Sequence, residues 1–233
     1  GAESHIMPLY EKNGWLPELD AIPADVARNA KLMWLNYPNN PTGNCFSEQE
    51  IQQVIEQFEG IVVLDEAYHD FSGKTFIKQM EKHNNLVILR SLSKIGLAGL
   101  RVGYGIFPVM LAEQVNKVRL PYNSNSISQW VANELLNDFT PVQNQINSIL
   151  EERDRLMDEL PKLPAITAYP SNSNFILFQA SKDGEKVFNN LKANGTLLRN
   201  LGSHPRLNNC LRVTIGTKQE NDQFLEQLRK AAS

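Results

Sequence analysis

Ile61-Val62-Val63-Leu64-Asp65-Glu66-Ala67-Tyr68 is the stretch on which the fold turns. Its apolar residues run without alternation and stop at an acid, the pattern of a strand buried on both faces of a sheet. Leu86-Val87-Ile88-Leu89 repeats the pattern and stops just before Ser91. Upstream, Lys31 to Asn36 is a short apolar run feeding a Pro- and Asn-rich turn, and Val102 to Ile106 is a further strand candidate. Between Lys31–Asn36 and Ile61–Leu64, Ser47-Glu48-Gln49-Glu50 has the form of a capping box, Ser followed three residues on by Glu. Ile51, Val54, Ile55 and Phe58 then fall at helical spacing, and Gly60 is the expected stop. Strands alternating with a helix predict an α/β chain with a largely parallel sheet covered on both faces. In such sheets ligands gather beyond the carboxyl ends of the strands.

Further along, Thr140-Pro141 reads as a helix N-cap followed by proline at the first helical position. Val142, Ile146, Ile149, Leu150, Met157 and Leu160 carry an apolar stripe from there to Pro161. A strand is expected at Asn174 to Phe178, a helix around Val187 to Lys192, and strands near Leu197 and at Leu211 to Ile215. A closing helix from about Glu220 to Lys230 should bury Phe224, Leu225 and Leu228. The pattern divides the chain into an α/β part, 1–140, and an α+β part, 141–233.

Size and charge narrow the functional classes. The chain has 233 residues and a formal net charge of −3, with no block of like charges, which argues against a nucleic-acid surface or a polybasic membrane anchor. No apolar run approaches the roughly 20 residues that span a bilayer. Cys45 and Cys210 lie far apart without metal-ligand spacing and read as incidental or buried thiols of a cytoplasmic protein. The start, Gly1 to Met7, lacks a basic stretch leading into an apolar one, as a secretion signal would have. His5 to Tyr10 reads like a strand. His5, His69, His83 and His204 show no metal spacing and read as solvated or loop residues; no metal is expected.

Three polar signals stand at strand ends, in order: Asn40-Pro41-Thr42-Gly43, Asp65-Glu66-Ala67-Tyr68 and Ser91-Leu92-Ser93-Lys94. An amide, a carboxylate and an amine so placed can hold and use an aldehyde cofactor. Lysine is the nucleophile such chemistry needs, once its amine is deprotonated. A lone lysine is otherwise a solvated charge. Asp65 closes an apolar strand, a poor place for an unpaired charge; a helix cap or a local ion pair would also explain it. Tyr68 alone could be a half-buried core aromatic. Ser91, Ser93 and Arg101 offer hydroxyls and a planar guanidinium, donors suited to a phosphate. Arg199 and Arg212 could grip an anionic substrate or pair with nearby acids. Ser91 to Lys94 also matches the Ser-x-x-Lys of penicillin-recognising enzymes, but no Lys-Thr-Gly or Ser-Asp-Asn accompanies it.

The ordered triple, with Gly96-Leu97-Ala98-Gly99-Leu100-Arg101-Val102-Gly103-Tyr104 behind it, resembles the pyridoxal-phosphate (PLP) aminotransferases of fold type I. The histidinol-phosphate branch is the most similar. Arg101 departs from the pattern, since in many members the corresponding arginine lies one residue further from the lysine. The resemblance implies a partial PLP-binding large domain followed by a small domain, with Lys94 as the catalytic residue that carries the cofactor. It implies that Asp65 pairs the pyridine nitrogen and that Tyr68 and Asn40 hydrogen-bond the ring hydroxyl. Ser91, Ser93 and Arg101 would serve the phosphate. Arg199, Arg212 and Asn174 would meet the substrate. The implied partners are a small-molecule amino donor and a 2-oxo acid, with 2-oxoglutarate becoming glutamate, in a cytoplasmic homodimer. A threonine-phosphate decarboxylase shares these motifs, and a non-catalytic assembly module could keep the fold.

Members of this family are longer. The resemblance places an N-terminal arm, the first strands of the large domain, a Gly/Ser-rich phosphate turn and a stacking aromatic ahead of residue 1. None has a replacement in 1–30, so the sequence reads as a portion of a longer polypeptide or a reduced homologue, dependent on a partner segment, a rearranged sheet or dimerisation to fold.

Overall fold

The computed structural model describes residues 3–17 and 22–231. They form two compact units, one comprising residues up to Asn39 with Cys45–Phe139, the other Asn40–Asn44 with the chain from Thr140 onward.

The first unit is built on a four-stranded sheet in the order β1 (Leu32–Asn36), β2 (Ile61–Asp65), β3 (Leu86–Ser91), β4 (Gly103–Ile106). The first three strands are parallel, and β4 runs antiparallel to β3. Its helices are α1 (Ala24–Asn29), α2 (Glu48–Gln57), α3 (His69–Ser72), α4 (Val109–Val118) and α5 (Ser126–Asn137). Register puts Leu35, Leu64 and Ile88 in one row, and these pack with Ile51, Val54 and Ile55 of α2 into the core of the unit. The capping box that starts α2 is formed in both directions, Ser47 Oγ accepting from Glu50 N–H and Glu50 Oε2 accepting from Ser47 N–H.

Several expectations need correction here. The helix ends at Gln57 with Phe58 already extended, so Gly60 does not stop it. Gly60 instead lies against the entry to β1: a Cβ there would fall 2.6 Å from the Lys31 carbonyl oxygen. Nor is the sheet covered on both faces over its whole width: Val63 and Val87 are buried on the face that carries Trp34, but β1 is not. Leu32 and Trp34 of β1 are 53% and 52% exposed, so among the described residues that face is only partly covered at the β1 end. His5 to Tyr10 is not a strand; it contributes only a bridge between Leu9 and Pro17.

The second unit folds α6 (Thr140–Glu159), α7 (Gly184–Ala193) and α8 (Lys218–Ala231) against an antiparallel sheet. The sheet has the order β5 (Ile166–Ala168), β6 (Phe175–Ala180), β8 (Cys210–Thr214), β7 (Arg199–Asn200). Ile176, Phe178, Leu211 and Val213 point to the helices and meet Leu156, Leu191, Phe224 and Leu228. Alternation sends Arg212, Leu177 and Phe175 to the other face. The expected strand near Leu197 begins two residues later, at Arg199; Leu197 itself is 75% exposed.

Candidate active site

The parallel register of β1, β2 and β3 brings their carboxyl ends to one edge of the first unit's sheet. Asn36 lies beside Asp65, Asp65 beside Leu89, and the Tyr37 and Glu66 amides extend the ladder to the Asp65 and Leu89 carbonyls at 2.9 and 2.8 Å. Asp65 is half-buried, and its Oδ1 accepts from the Ala67 amide at 3.1 Å. Oδ2 has no hydrogen-bond partner among the described residues, so one carboxylate oxygen is available for an outside donor. Tyr68 follows, 8% exposed, as the entry to α3.

At the end of β3 the chain turns into a 3-10 helix, Leu92–Ile95, which carries Ser93 and Lys94. Ser91 caps it, its Oγ accepting from Ser93 N–H at 3.1 Å. That bond uses a lone pair and leaves the Ser91 O–H to donate. Leu92 and Ile95 are buried, anchoring the turn, while Lys94 stays half-buried between them. Its Nζ lies 5.3 Å from the centroid of the Tyr68 ring. Lys94, Tyr68, Asp65, Ser91 and Ser93 therefore belong to one edge of one sheet. Arg101 is exposed, in the left-handed conformation (φ 57°), with its Nη1 donating to Ala98 O at 3.4 Å.

Beside Ser91 a cavity of about 180 Å³ is lined by His69, Asp70, Tyr104 and Leu136 among others. His69 is not a solvated residue: only 20% of its side chain is exposed, and its Nδ1 sits 3.4 Å from Asp70. Burial pushes the imidazole pKa down and the Asp70 carboxyl pKa up, so both are drawn toward their neutral forms.

Asn40, Asn174, Arg199 and Arg212 belong to the second unit. Arg212 Nη1 donates to Asn40 Oδ1, and the guanidinium stacks over Phe175 with Cζ 4.8 Å from the ring centroid. Arg212 Nε is buried without a hydrogen-bond partner among the described residues. A buried unsatisfied donor on a cation is costly, and an anion would satisfy it. Arg199 stands directly opposite Arg212 across the β7–β8 ladder, so both side chains share the face away from the helices. Asn174 accepts the Ile215 amide on its own carbonyl at 2.9 Å, just ahead of β6.

The 40–44 loop is held to this unit by the Asn172 amide, which donates to Gly43 O at 2.7 Å. Gly43 has φ +82°, and a Cβ there would fall 2.8 Å from Ser171 Oγ, so glycine is needed for that approach. The sequence groups Asn40 with Asp65 and Tyr68; the structure bonds it to Arg212, a contact 172 residues apart that no local pattern announces.

The chain belongs to the aminotransferase class I and II family, whose model matches residues 1–228. Within it, the chain is 44% identical over 202 residues to the histidinol-phosphate aminotransferase of Vesicomyosocius okutanii subsp. Calyptogena okutanii (strain HA), covering 87% of this chain and 57% of that protein. The chain thus spans a little over half the length of the curated relatives it matches. Among solved structures, the histidinol-phosphate aminotransferase from Clostridium acetobutylicum superposes with a TM-score of 0.87 at 23% identity, over 96% of this chain and 70% of that one. That from Sinorhizobium meliloti, in complex with pyridoxal-5'-phosphate, gives 0.82 at 25% identity, over 93% and 61%. The fold is the α/β fold type I expected from the sequence, with a partial, mostly parallel large sheet.

Proposed function

We propose that this chain is the central and C-terminal portion of a PLP-dependent aminotransferase that converts histidinol phosphate, with 2-oxoglutarate and glutamate as the second substrate pair. The observation that carries the reading is the strand-end group, Lys94 next to Tyr68 with Asp65 at the end of the neighbouring strand. Its specificity rests on the similarity to the histidinol-phosphate aminotransferases. In this reading 1–140 is part of the cofactor domain and 141–233 the small domain, in a cytoplasmic homodimer. Among the described residues no helix is long and apolar enough to cross a membrane.

PLP, when bound, supplies an aldehyde that links covalently to an amine and a ring that withdraws electrons from the substrate's α-carbon. Lys94 is the amine that holds it between turnovers. With a substrate amine in place, the freed Lys94 Nζ would be the group to take and return the α-carbon proton, as base and then acid. Asp65, with one oxygen uncommitted, would hold a proton on the pyridine nitrogen, and by the family resemblance Tyr68 and Asn40 would donate to the ring oxygen. Ser91 and Ser93 offer hydroxyl donors to the cofactor phosphate, and Arg101 adds charge. Arg212 and Arg199 bind the anionic end of the amino donor or the carboxylates of the oxo acid, with Asn174 beside them. The paired arginines would equally suit a phosphorylated amino acid bound for decarboxylation. Product analysis tests the reading: histidinol phosphate and 2-oxoglutarate should yield glutamate without CO₂. CO₂ release from threonine phosphate, with no glutamate, would replace it.

A further inference from the structure

Directly after Asp65 stands Glu66, the one fully buried carboxylate among the described residues, at 0% exposed. Both of its oxygens are used. Oε1 accepts the Phe76 amide at 2.8 Å. Oε2 accepts the Thr75 hydroxyl at 2.8 Å and, from Arg90, Nε at 3.1 Å and Nη2 at 2.9 Å. Arg90 Nη2 also donates to Thr75 Oγ1 at 2.8 Å, closing a triangle. Buried and with both oxygens committed, Glu66 is not a group that meets a substrate. It is also an expensive way to hold two strands together, because desolvating both charges offsets most of their attraction. Apolar residues would do the same packing at less cost.

Its position explains what a rigid, directional contact could do. Side chains alternate along a strand, so Asp65 and Glu66 point to opposite faces, as do Arg90 and Ser91. Leu64 and Ile88, two residues before Glu66 and Arg90, lie in the core that α2 covers. The ion pair therefore sits on the α2 face, directly behind the ends of β2 and β3. On the front are Asp65 and Ser91, and within a few residues Tyr68 and Lys94. Register and hydrogen bonds tie the pair to Thr75 and Phe76 in the loop after α3, and set Arg90 opposite Tyr104 of β4.

We propose that Glu66 and Arg90 are positioning residues: a clamp on the back of the sheet, two guanidinium donors on one carboxylate oxygen, that fixes the end of β2 against the end of β3, and so sets the placement of Asp65 and Tyr68 relative to Lys94. The inference deepens the aminotransferase reading and rests on it for its functional consequence, but the geometry it asserts is independent of any cofactor. Misplacing a reacting group by about 1 Å can cost on the order of a hundredfold in rate, so the clamp need hold only small displacements.

The test uses the double variant Glu66→Gln/Arg90→Met, with Glu66→Gln alone beside it. The glutamine amide keeps an oxygen for the Phe76 N–H, and the methionine thioether leaves no unpaired cation. The double variant is therefore expected to fold with wild-type circular dichroism and unfolding. Two readouts follow in the full 233-residue chain. The first is the ring-current displacement of the Lys94 side-chain methylene by Tyr68, measured by NMR with ¹³C-lysine and assigned with Lys94→Ala. The second is the yield of PLP fixed at Lys94 by borohydride. The account expects the double variant to lose the displacement and to need about tenfold more PLP for the same fixation. A folded double variant that keeps the wild-type displacement overturns the clamp, whatever the PLP result. A wild type that shows the displacement but fixes no PLP overturns the cofactor reading instead, and the first readout still decides the clamp.

Discussion

Replacing Arg199 with glutamine separates a functional arginine from a structural one, because the two roles predict opposite signs. Arg199 faces Arg212 directly across an antiparallel ladder, and among the described residues no carboxylate lies within ion-pair distance of either. Like charges in that arrangement cost about 0.2–1 kcal/mol. Arg199 is exposed, on the edge strand of its sheet, so solvent screening places the cost near the lower end, about 0.3 kcal/mol. Arg199→Gln should therefore stabilise the second unit slightly, raising its thermal midpoint by about 1–2 °C. The gain should vanish at high salt, where surface repulsion is screened over a few ångströms. Binding of an anion should change the other way. Losing one charge-assisted contact of about 1.5–3 kcal/mol weakens the dissociation constant roughly 10- to 100-fold. The assay is thermal unfolding by circular dichroism at low and high salt, repeated with increasing inorganic phosphate. Wild type should gain midpoint with phosphate and the variant should gain much less. A variant destabilised at both salt concentrations, with phosphate protection intact, would refute the reasoning and make Arg199 a packing residue.

Two further outcomes follow from the fold and its electrostatics. Gly60→Ala puts a methyl carbon 2.6 Å from the Lys31 carbonyl, where backbone must move, so denaturant unfolding should show a loss of about 1–3 kcal/mol. Glu152 is held below the usual carboxylate range chiefly by its hydrogen bond to Arg155 at 2.7 Å, with Asn221 adding a second donor. A carboxylate whose folded pKa is depressed stabilises the protein above its unfolded value and loses that contribution as pH falls through the folded one. The stability difference between wild type and Glu152→Gln should accordingly be full at pH 7 and fade below about pH 4. A difference independent of pH would show that the glutamate acts through packing alone.

What the sequence makes legible is what local pattern encodes. The unbroken apolar runs of β2 and β3 locate the strand ends that carry Asp65 and Ser91, and the Ser47–Glu50 box marks the start of α2 to the residue. The ends of an unalternating strand are where a parallel sheet leaves backbone for ligands, so the positions of Asp65 and Lys94 follow from the same pattern. Contacts between distant residues are not legible. Glu66 and Arg90 meet across 24 residues, and Asn40 meets Arg212 across most of the chain; neither pair has a spacing that marks it. Exposure misleads for a related reason. Trp34 lies in the apolar run from Lys31 to Asn36, yet whether its face is covered depends on what packs there. Gly60 resembles a helix stop because glycine commonly ends helices, whereas here it makes room for the chain at Lys31.

The most direct test of the central claim is where PLP attaches. The folded chain is incubated with PLP, reduced with borohydride and digested, and the labelled peptide is read by mass spectrometry, with Lys94→Ala treated alongside. The account predicts a visible band that borohydride removes, a label confined to the peptide carrying Lys94, and neither in Lys94→Ala. Label spread over surface lysines and unchanged in Lys94→Ala would contradict it.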